Sequence, residues 1–233
     1  MKVAILSDIH GNLDALNAVL HSVDSKGIEI LLVAGDSVGY YYESRQVIKR
    51  LSTYHCIAIQ GNHERLLLDV HKGINTETIR KKYGSSYEMA LKEFTTKELR
   101  NLELLPQKVL VEINGKKIII CHGSPWEADQ YIYPSDYEKV KDKIFREQAD
   151  LLIFGHTHYP LLWAQGDQQV VNPGSVGQAR DKIAGASWAE YDTVSGTIIF
   201  HREKYDLCRI IEQCKEHDPE IHYLTEVLTR GDR

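Results

Sequence analysis

Five short apolar runs in this chain each stop at a polar, glycine-flanked cluster, and this repeated junction restricts the possible folds more than any other feature. Residues 2–6 run into Asp8-Ile9-His10, residues 28–34 into Gly35-Asp36, and residues 54–59 into Gly61-Asn62-His63-Glu64. Residues 116–121 run into His122-Gly123, and residues 151–154 into Gly155-His156-Thr157-His158. Runs of this length bounded by turn formers read as buried strands. Between the first three runs lie helical patterns: residues 12–26 place Leu13, Leu16, Leu20 and Val23 near helical spacing, and residues 44–51 read as a second helix. Strand–helix–strand repetition predicts crossover units on a mostly parallel sheet. In such sheets ligands collect outside the carboxyl ends of the strands. The clusters should therefore converge in space.

Residues 62–105 lack β-rich runs and read as two or three helices, with Thr95 or Thr96 as an N-cap before Glu98 and Glu103. This block is either a cap beside the converging clusters or a plain helical layer over the sheet. The β pattern returns at residues 109–113 and 116–121, joined by Asn114-Gly115, the pair that suits a two-residue type I′ turn. Residues 135–148 read as a helix, and 161–164, 169–171, 187–192 and 197–201 as strands, the last two joined around Ser195-Gly196. The tail from about 205 to 233 reads as helical. No internal repeat, low-complexity stretch or linker interrupts the chain, which predicts one domain over residues 1–233 with a C-terminal extension.

The 233 residues suffice for a sizeable core, and 42% hydrophobic with 26% charged residues is ordinary for a globular protein. With 28 Lys+Arg against 33 Asp+Glu, the net charge of −5 argues against a nucleic-acid polymer as partner. No run approaches the ~18 apolar residues of a membrane helix. The apolar stretch of MKVAILSDIH ends at Asp8, too soon for a signal peptide. Cys56, Cys121, Cys208 and Cys214 show no metal-ligand spacing and read as reduced thiols. The expectation is a cytoplasmic protein without a membrane segment.

The strand-end clusters offer seven metal-competent donors: Asp8, His10, Asp36, Asn62, His122, His156 and His158. One ion takes about four to six donors, so this set suits two ions with one carboxylate between them. Two ions about 3.5–4 Å apart are a recurrent arrangement for hydrolysing phosphate esters. A mixed oxygen and nitrogen set without thiolate favours Mn, Fe, Zn, Co or Ni over Mg or Ca. The remaining histidines, at 21, 55, 71, 201, 217 and 222, have no such setting and read as surface or packing residues.

In this order, D-x-H, G-D-x-x, G-N-H-E, H-G and G-H-T-H resemble the motif set of the calcineurin-like metallophosphoesterase superfamily, over residues 1 to about 175. With GDSVGY and NPGSVGQARD, the chain is similar to the small bacterial and archaeal phosphodiesterases of that superfamily. The resemblance implies an α/β fold: a four-layer α/β/β/α sandwich with two central mixed β-sheets. It implies that Asp8, His10 and His158 hold one metal ion, that Asn62, His122 and His156 hold the other, and that Asp36 bridges them. Manganese is the first choice of metal. The chemistry implied is attack on a small organic or nucleotide phosphodiester by a water that the two cations activate. His63 would then face the substrate as the proton donor to the leaving alkoxide. Glu64 would orient His63 or a neighbouring ligand, or simply sit in the first turn of a helix.

The superfamily's Ser/Thr protein phosphatases carry an arginine soon after the second-motif aspartate; here Asp36 is followed by Ser37-Val38-Gly39-Tyr40, and no arginine comes before Arg45. This weighs against a phosphoprotein substrate. Arg180 is the candidate cation for a substrate phosphate, against the alternative of a surface arginine paired with Asp181. Tyr40, Tyr41 and Tyr42 would either stack on a substrate ring or pack between loop and helix, and Trp126 is a second rim candidate. A phosphomonoesterase or nucleotide pyrophosphatase on the same site is the alternative activity. A non-catalytic scaffold of the same fold is the remaining one.

Overall fold

Every residue of β1 (Lys2–Leu6) after Lys2 is fully buried, because this strand lies inside a sheet covered on both faces. In the computed structural model, which describes residues 1–230, β1 pairs in parallel with β2 (Ile30–Val33) and antiparallel with β9 (Ala186–Asp192). With β3 (His55–Ala58) and β10 (Ile198–Glu203) it forms a mixed sheet of order β10-β9-β1-β2-β3. A second mixed sheet has the order β4-β5-β6-β8-β7, built from β4 (Lys108–Ile113), β5 (Lys116–Cys121), β6 (Leu151–Ile153), β7 (Leu161–Gln165) and β8 (Gln168–Asn172).

Period-two alternation then assigns the faces. Val3 and Ile5 of the first sheet meet Ile118, Ile120 and Ile153 of the second in a core between the sheets. Ala4 and Leu6 point the other way, into a cluster under α1 (Leu13–Ser25) and α2 (Ser44–Leu51). Ile119 and Cys121 point outward beneath α7 (Tyr137–Ile144). The result is the expected order of helix, sheet, sheet, helix. Truncating one inward isoleucine to alanine in such a core typically costs about 2–5 kcal/mol.

Residues 62–105 form four helices rather than two or three: α3 (Asn62–His71), α4 (Thr76–Tyr83), α5 (Ser86–Glu93) and α6 (Thr96–Glu103). The extra breaks fall at Gly73 and Gly84, both at positive φ. Thr95 is the N-cap of α6, with Glu98 reaching back to its backbone N–H at 2.8 Å. Asn114 and Gly115 both adopt positive φ (52° and 76°), as the type I′ turn requires. The helix expected at 135–148 is shorter, because Pro134 opens a 3₁₀ turn (Pro134–Asp136) and α7 begins only at Tyr137. The tail forms α8 (Cys208–His217) and α9 (Tyr223–Glu226); residues 231–233 of the expected helical tail lie outside the described residues. Cys56, Cys121, Cys208 and Cys214 are free, and no described helix is long and apolar enough to cross a membrane.

Helices α3–α6 are not a plain layer over a sheet. Leu67, Ile79, Tyr87 and Leu102 pack with Ile210, Cys214 and Leu224 of the tail in a separate apolar cluster. A buried carboxylate ties this unit together. Asp218 accepts from Ser85 N (2.9 Å), Ser85 Oγ (2.9 Å) and the Tyr42 hydroxyl (2.8 Å). Asp218→Ala strands these donors and should lower unfolding stability by roughly 1–3 kcal/mol, read as a reduced urea midpoint. An unchanged midpoint would show that the tail is held without this carboxylate.

Candidate metal centre

The seven predicted donors all lie just past strand ends, on one side of the two sheets. Asp8 and His10 follow β1, Asp36 follows β2, Asn62 opens α3 after β3, His122 follows β5, and His156 and His158 follow β6. Five of them, Asp8, His10, Asp36, His156 and His158, have φ between 54° and 67°. Left-handed backbone at a non-glycine residue costs on the order of 1–3 kcal/mol and needs neighbours that enforce it. Here the loops enforce one another: Asp8 N bonds Gly35 O (3.1 Å), His10 N bonds Asp36 O (2.9 Å), and Gly155 N bonds His122 O (2.9 Å). Close approach also fixes Gly155, where a Cβ would lie 2.6 Å from Asp8 Oδ2 and run into Ser7 Oγ.

The imidazoles are aimed from behind. Nδ1 of His10, His122 and His158 bonds a backbone carbonyl, of Val38 (3.2 Å), Ala34 (2.7 Å) and Gln178 (2.6 Å) respectively. A ring that donates from Nδ1 presents a bare Nε2, the arrangement that orients metal-binding histidines. His156 is reversed, with Nε2 on Asp129 O (3.1 Å) and Nδ1 toward the cluster. The forward atoms crowd together. His10 Nε2 lies 3.1 Å from His158 Nε2, His156 Nδ1 lies 3.1 Å from His122 Nε2, and Asp36 Oδ2 and Asn62 Oδ1 each lie 3.0 Å from His122 Nε2. Lone pairs facing one another in a buried site call for cations between them. Buried Asp8 Oδ1 also has no hydrogen-bond donor. The ligand atoms of Asp8, His10 and His158 fall within 4.8 Å of one another, as do those of Asp36, His122 and His156, and those of His10, Asp36 and His63. The donor set fits divalent metal ions.

The fields in the protein alone are strong. Burial disfavours charge on Asp36, but His122 and His63 beside it hold its carboxyl well below the usual range. Burial likewise opposes protonation of His122, yet Asp36 and Asp8 raise it to about 10, so without a metal a proton stands on its Nε2 toward Asp36 Oδ2, in the place a cation would take. Burial pushes His63 down to about 4, so this ring is neutral at pH 7. Its Nδ1 lies 2.6 Å from the Tyr87 hydroxyl, which burial keeps protonated; when that hydroxyl donates to Nδ1, the ring carries its proton on Nε2. Gly39, at φ +85°, makes room for this pair; a Cβ there would lie 2.8 Å from the Tyr87 hydroxyl and strike His63 Nδ1.

Beside the cluster opens a cavity of about 360 Å³. Asp36, Asn62, His63, His156 and His158 form its floor; Tyr40, Tyr83, Tyr131, Tyr223, Lys82 and Arg180 form its wall. Arg180 is therefore at the cavity, donating from Nη2 to Gln178 Oε1 (2.9 Å) and the Tyr40 hydroxyl (3.2 Å), while Asp181 pairs with Arg202. The tyrosine run divides. Tyr40 stacks on His63 at 4.7 Å, whereas Tyr41 and Tyr42 pack in the helical unit and bond Leu224 O and Asp218. Trp126 is not at the rim: it packs on the outer face of the second sheet beneath Lys143, whose Nζ lies 4.1 Å from its ring centroid. Glu64 does not orient His63. It accepts backbone N–H groups from Asp36 (2.9 Å), Ser37 (2.7 Å) and Gly61 (2.8 Å). Sequence reasoning missed Lys82, Tyr83, Tyr131 and Tyr223, which carry no local motif and reach the cavity through tertiary packing, and Tyr87, which stands behind His63.

Residues 1–195 match the family model described as the calcineurin-like phosphoesterase superfamily domain. An uncharacterised protein of Methanocaldococcus jannaschii is 33% identical over 229 residues, covering 91% of this chain and 90% of the relative. The Ser/Thr protein phosphatase 2 of Salmonella typhimurium is 24% identical over 189 residues (73% of this chain, 86% of that protein). The phosphodiesterase YfcE of Escherichia coli is 25% identical over 186 residues (76% and 79%). The crystal structure of a metallophosphoesterase from Sphaerobacter thermophilus superposes with a TM-score of 0.81 at 25% identity, covering 99% of this chain and 100% of that one. The fold, the clustered donors and these similarities agree: the chain belongs to the calcineurin-like phosphoesterase superfamily, a family of phosphoester hydrolases that use divalent metal ions.

Proposed function

We propose that the protein is a dinuclear phosphodiesterase acting on small organic or nucleotide phosphodiesters. The observation that carries this reading is the position of Asp36. Its Oδ1 accepts from His63 N at 2.7 Å, and its Oδ2 lies 3.0 Å from His122 Nε2 and 3.9 Å from His10 Nε2, between the two ligand groups. Asp8, His10 and His158 would hold one ion, Asn62, His122 and His156 the other, and Asp36 both. The nitrogen-rich, thiolate-free set suits Mn, with Fe, Co, Ni or Zn as substitutes. When bound, two such ions supply Lewis acidity and a nucleophile from water at neutral pH.

The chain's own residues supply the rest. His63 reaches the cavity as an N–H donor, and an anionic phosphoryl group beside it raises its proton affinity. It then supports the leaving oxygen as negative charge develops there. Tyr87 fixes the tautomer and the plane of that ring. Arg45 is tied to Glu98 at 3.0 Å and does not line the cavity; among the described residues Arg180 is the one arginine there, so no pair of arginines clamps a phosphate. That favours a small diester over a phosphoprotein.

Stripped protein titrated with Mn²⁺ should gain about 2.7 kcal/mol of stability at a hundredfold excess over Kd, a rise of several degrees in Tm. Asp36→Asn should lose most of that gain, and a flat titration of the parent protein would refute metal binding. The metal-loaded protein should cleave bis(p-nitrophenyl) phosphate well above p-nitrophenyl phosphate; monoester preference would overturn the diester reading. His63→Ala should keep the thermal response to Mn²⁺ and lose about 10²–10⁴ in kcat. Tyr87→Phe should lower kcat by up to about tenfold with little change in KM, since one hydrogen bond that orients the ring is worth roughly 0.5–1.5 kcal/mol. Full turnover by His63→Ala would remove His63 from the chemistry.

A further inference from the structure

The floor of the cavity accounts for one phosphoryl group, but the wall is built for more. Its four tyrosines come from four separate stretches: Tyr40 after β2, Tyr83 at the end of α4, Tyr131 after β5, and Tyr223 in α9, beyond the family-matched residues 1–195. Tyr131 lies over His156 with ring centroids 3.9 Å apart and is still 51% exposed, so a flat ring has access to it. Among these aromatics stand two cations. Arg180 uses only Nη2, on Gln178 and Tyr40, and its buried Nε has no acceptor. Lys82 has its Nζ 4.9 Å from the Tyr83 ring centroid. Among the described residues, neither cation has an acidic partner within 4.0 Å.

We infer that the cavity takes a nucleotide bearing a second phosphate besides the scissile one, with its base against the tyrosine wall and the second phosphate at Arg180 and Lys82. The inference rests on the phosphodiesterase reading for the scissile group only. A simple phosphodiester carries one negative charge, and the floor meets it without help. Two further unpaired cations fit a further anion, and the guanidinium fork suits phosphate oxygens in particular. The tyrosines fit a base, because every nucleobase offers a π-face. At about 360 Å³ the cavity is at the small end of ligand sites, which suits one nucleotide and not two.

The test is calorimetric titration of the Mn²⁺-loaded protein with adenosine 3′,5′-bisphosphate, adenosine 5′-monophosphate and ribose 5-phosphate. The bisphosphate should bind at least about tenfold tighter than the monophosphate, and Arg180→Met or Lys82→Met should shrink that ratio. The monophosphate should bind roughly five- to 150-fold tighter than ribose 5-phosphate, and Tyr131→Ala should remove most of the difference. Lys82 and Tyr131 are exposed, so their variants remain informative if Arg180→Met does not fold. Equal binding of the two adenosine phosphates, or a ratio untouched in all folded cation variants, would overturn the inference. Bis(p-nitrophenyl) phosphate separates the two readings. Its cleavage without nucleotide discrimination sinks the inference alone; discrimination without cleavage of any diester, in protein carrying two ions, sinks the phosphodiesterase reading alone.

Discussion

Two buried carboxylates brace the ends of β2 and β3 against each other, and the centre depends on that brace. Asp36 Oδ1 accepts the His63 N–H at 2.7 Å; in return Glu64, one residue further on, accepts the N–H groups of Asp36 and Ser37 at 2.9 and 2.7 Å. Neither acid is free to turn. With Oδ1 committed to α3, Asp36 presents Oδ2 alone to the ligand groups. The arrangement brings two acids close in a dry site, and burial with the nearby Asp36 charge raises Glu64 to about 7 against the pull of its backbone donors. Cations at the centre relieve that repulsion. The brace and the proposed metal ions therefore support each other: the acids hold the ligands in place, and positive charge makes the acids tolerable together.

The strained backbone has the same logic. Five ligand residues at positive φ would each relax in an isolated loop. They persist because each strand end is hydrogen-bonded to its neighbour's, as Asp8 is to Gly35 and Gly155 is to His122. A left-handed residue turns the chain sharply after the strand and lets two residues two apart, such as Asp8 and His10, aim at one crevice. The sheets supply rigidity, and the turns convert it into direction.

That division explains what was legible in the sequence. The floor could be read because strand ends announce themselves: an apolar run, a glycine, then a side chain out of place in a core. Asp36, Asn62, His63, His156 and His158 follow that grammar; Asp8, His10 and His122 come straight off their runs with the glycine after them, and the structure brings all eight together. The four-layer fold came from the family resemblance; the runs alone predicted a mostly parallel sheet, whereas both sheets are mixed, because β9, β10, β4 and β7 join by antiparallel pairing. The wall could not be read in this way. Tyr83 and Tyr223 sit in ordinary helical sequence, and Tyr87 looks like any core aromatic until its hydroxyl is found 2.6 Å from His63. Trp126 misled for the converse reason, since nearness in sequence to His122 does not fix the face on which a loop residue packs. The number of helices in residues 62–105 depended on whether Gly73 and Gly84 break or merely weaken a helix. Gly84 breaks it at φ +79°, where a Cβ would lie 2.5 Å from Asp218 Oδ2 and collide with that carboxylate.

Floor and wall also rest on different cores. The ligands stand on the three apolar clusters around the sheets, whereas most of the tyrosine wall is carried by the cluster shared by α3–α6, α8 and α9. Helix α3 belongs to both: Asn62, His63 and Glu64 open it toward the floor, and Leu67 and Val70 anchor it in the helical cluster. A substitution within the wall can alter what the cavity admits while leaving the donors of the floor in place. A substitution at the start of α3 shifts floor and wall together. Floor and wall are thus separable except at that helix, where His63, the proposed donor to the leaving group, is positioned by Asp36 on one side and by Tyr87 on the other.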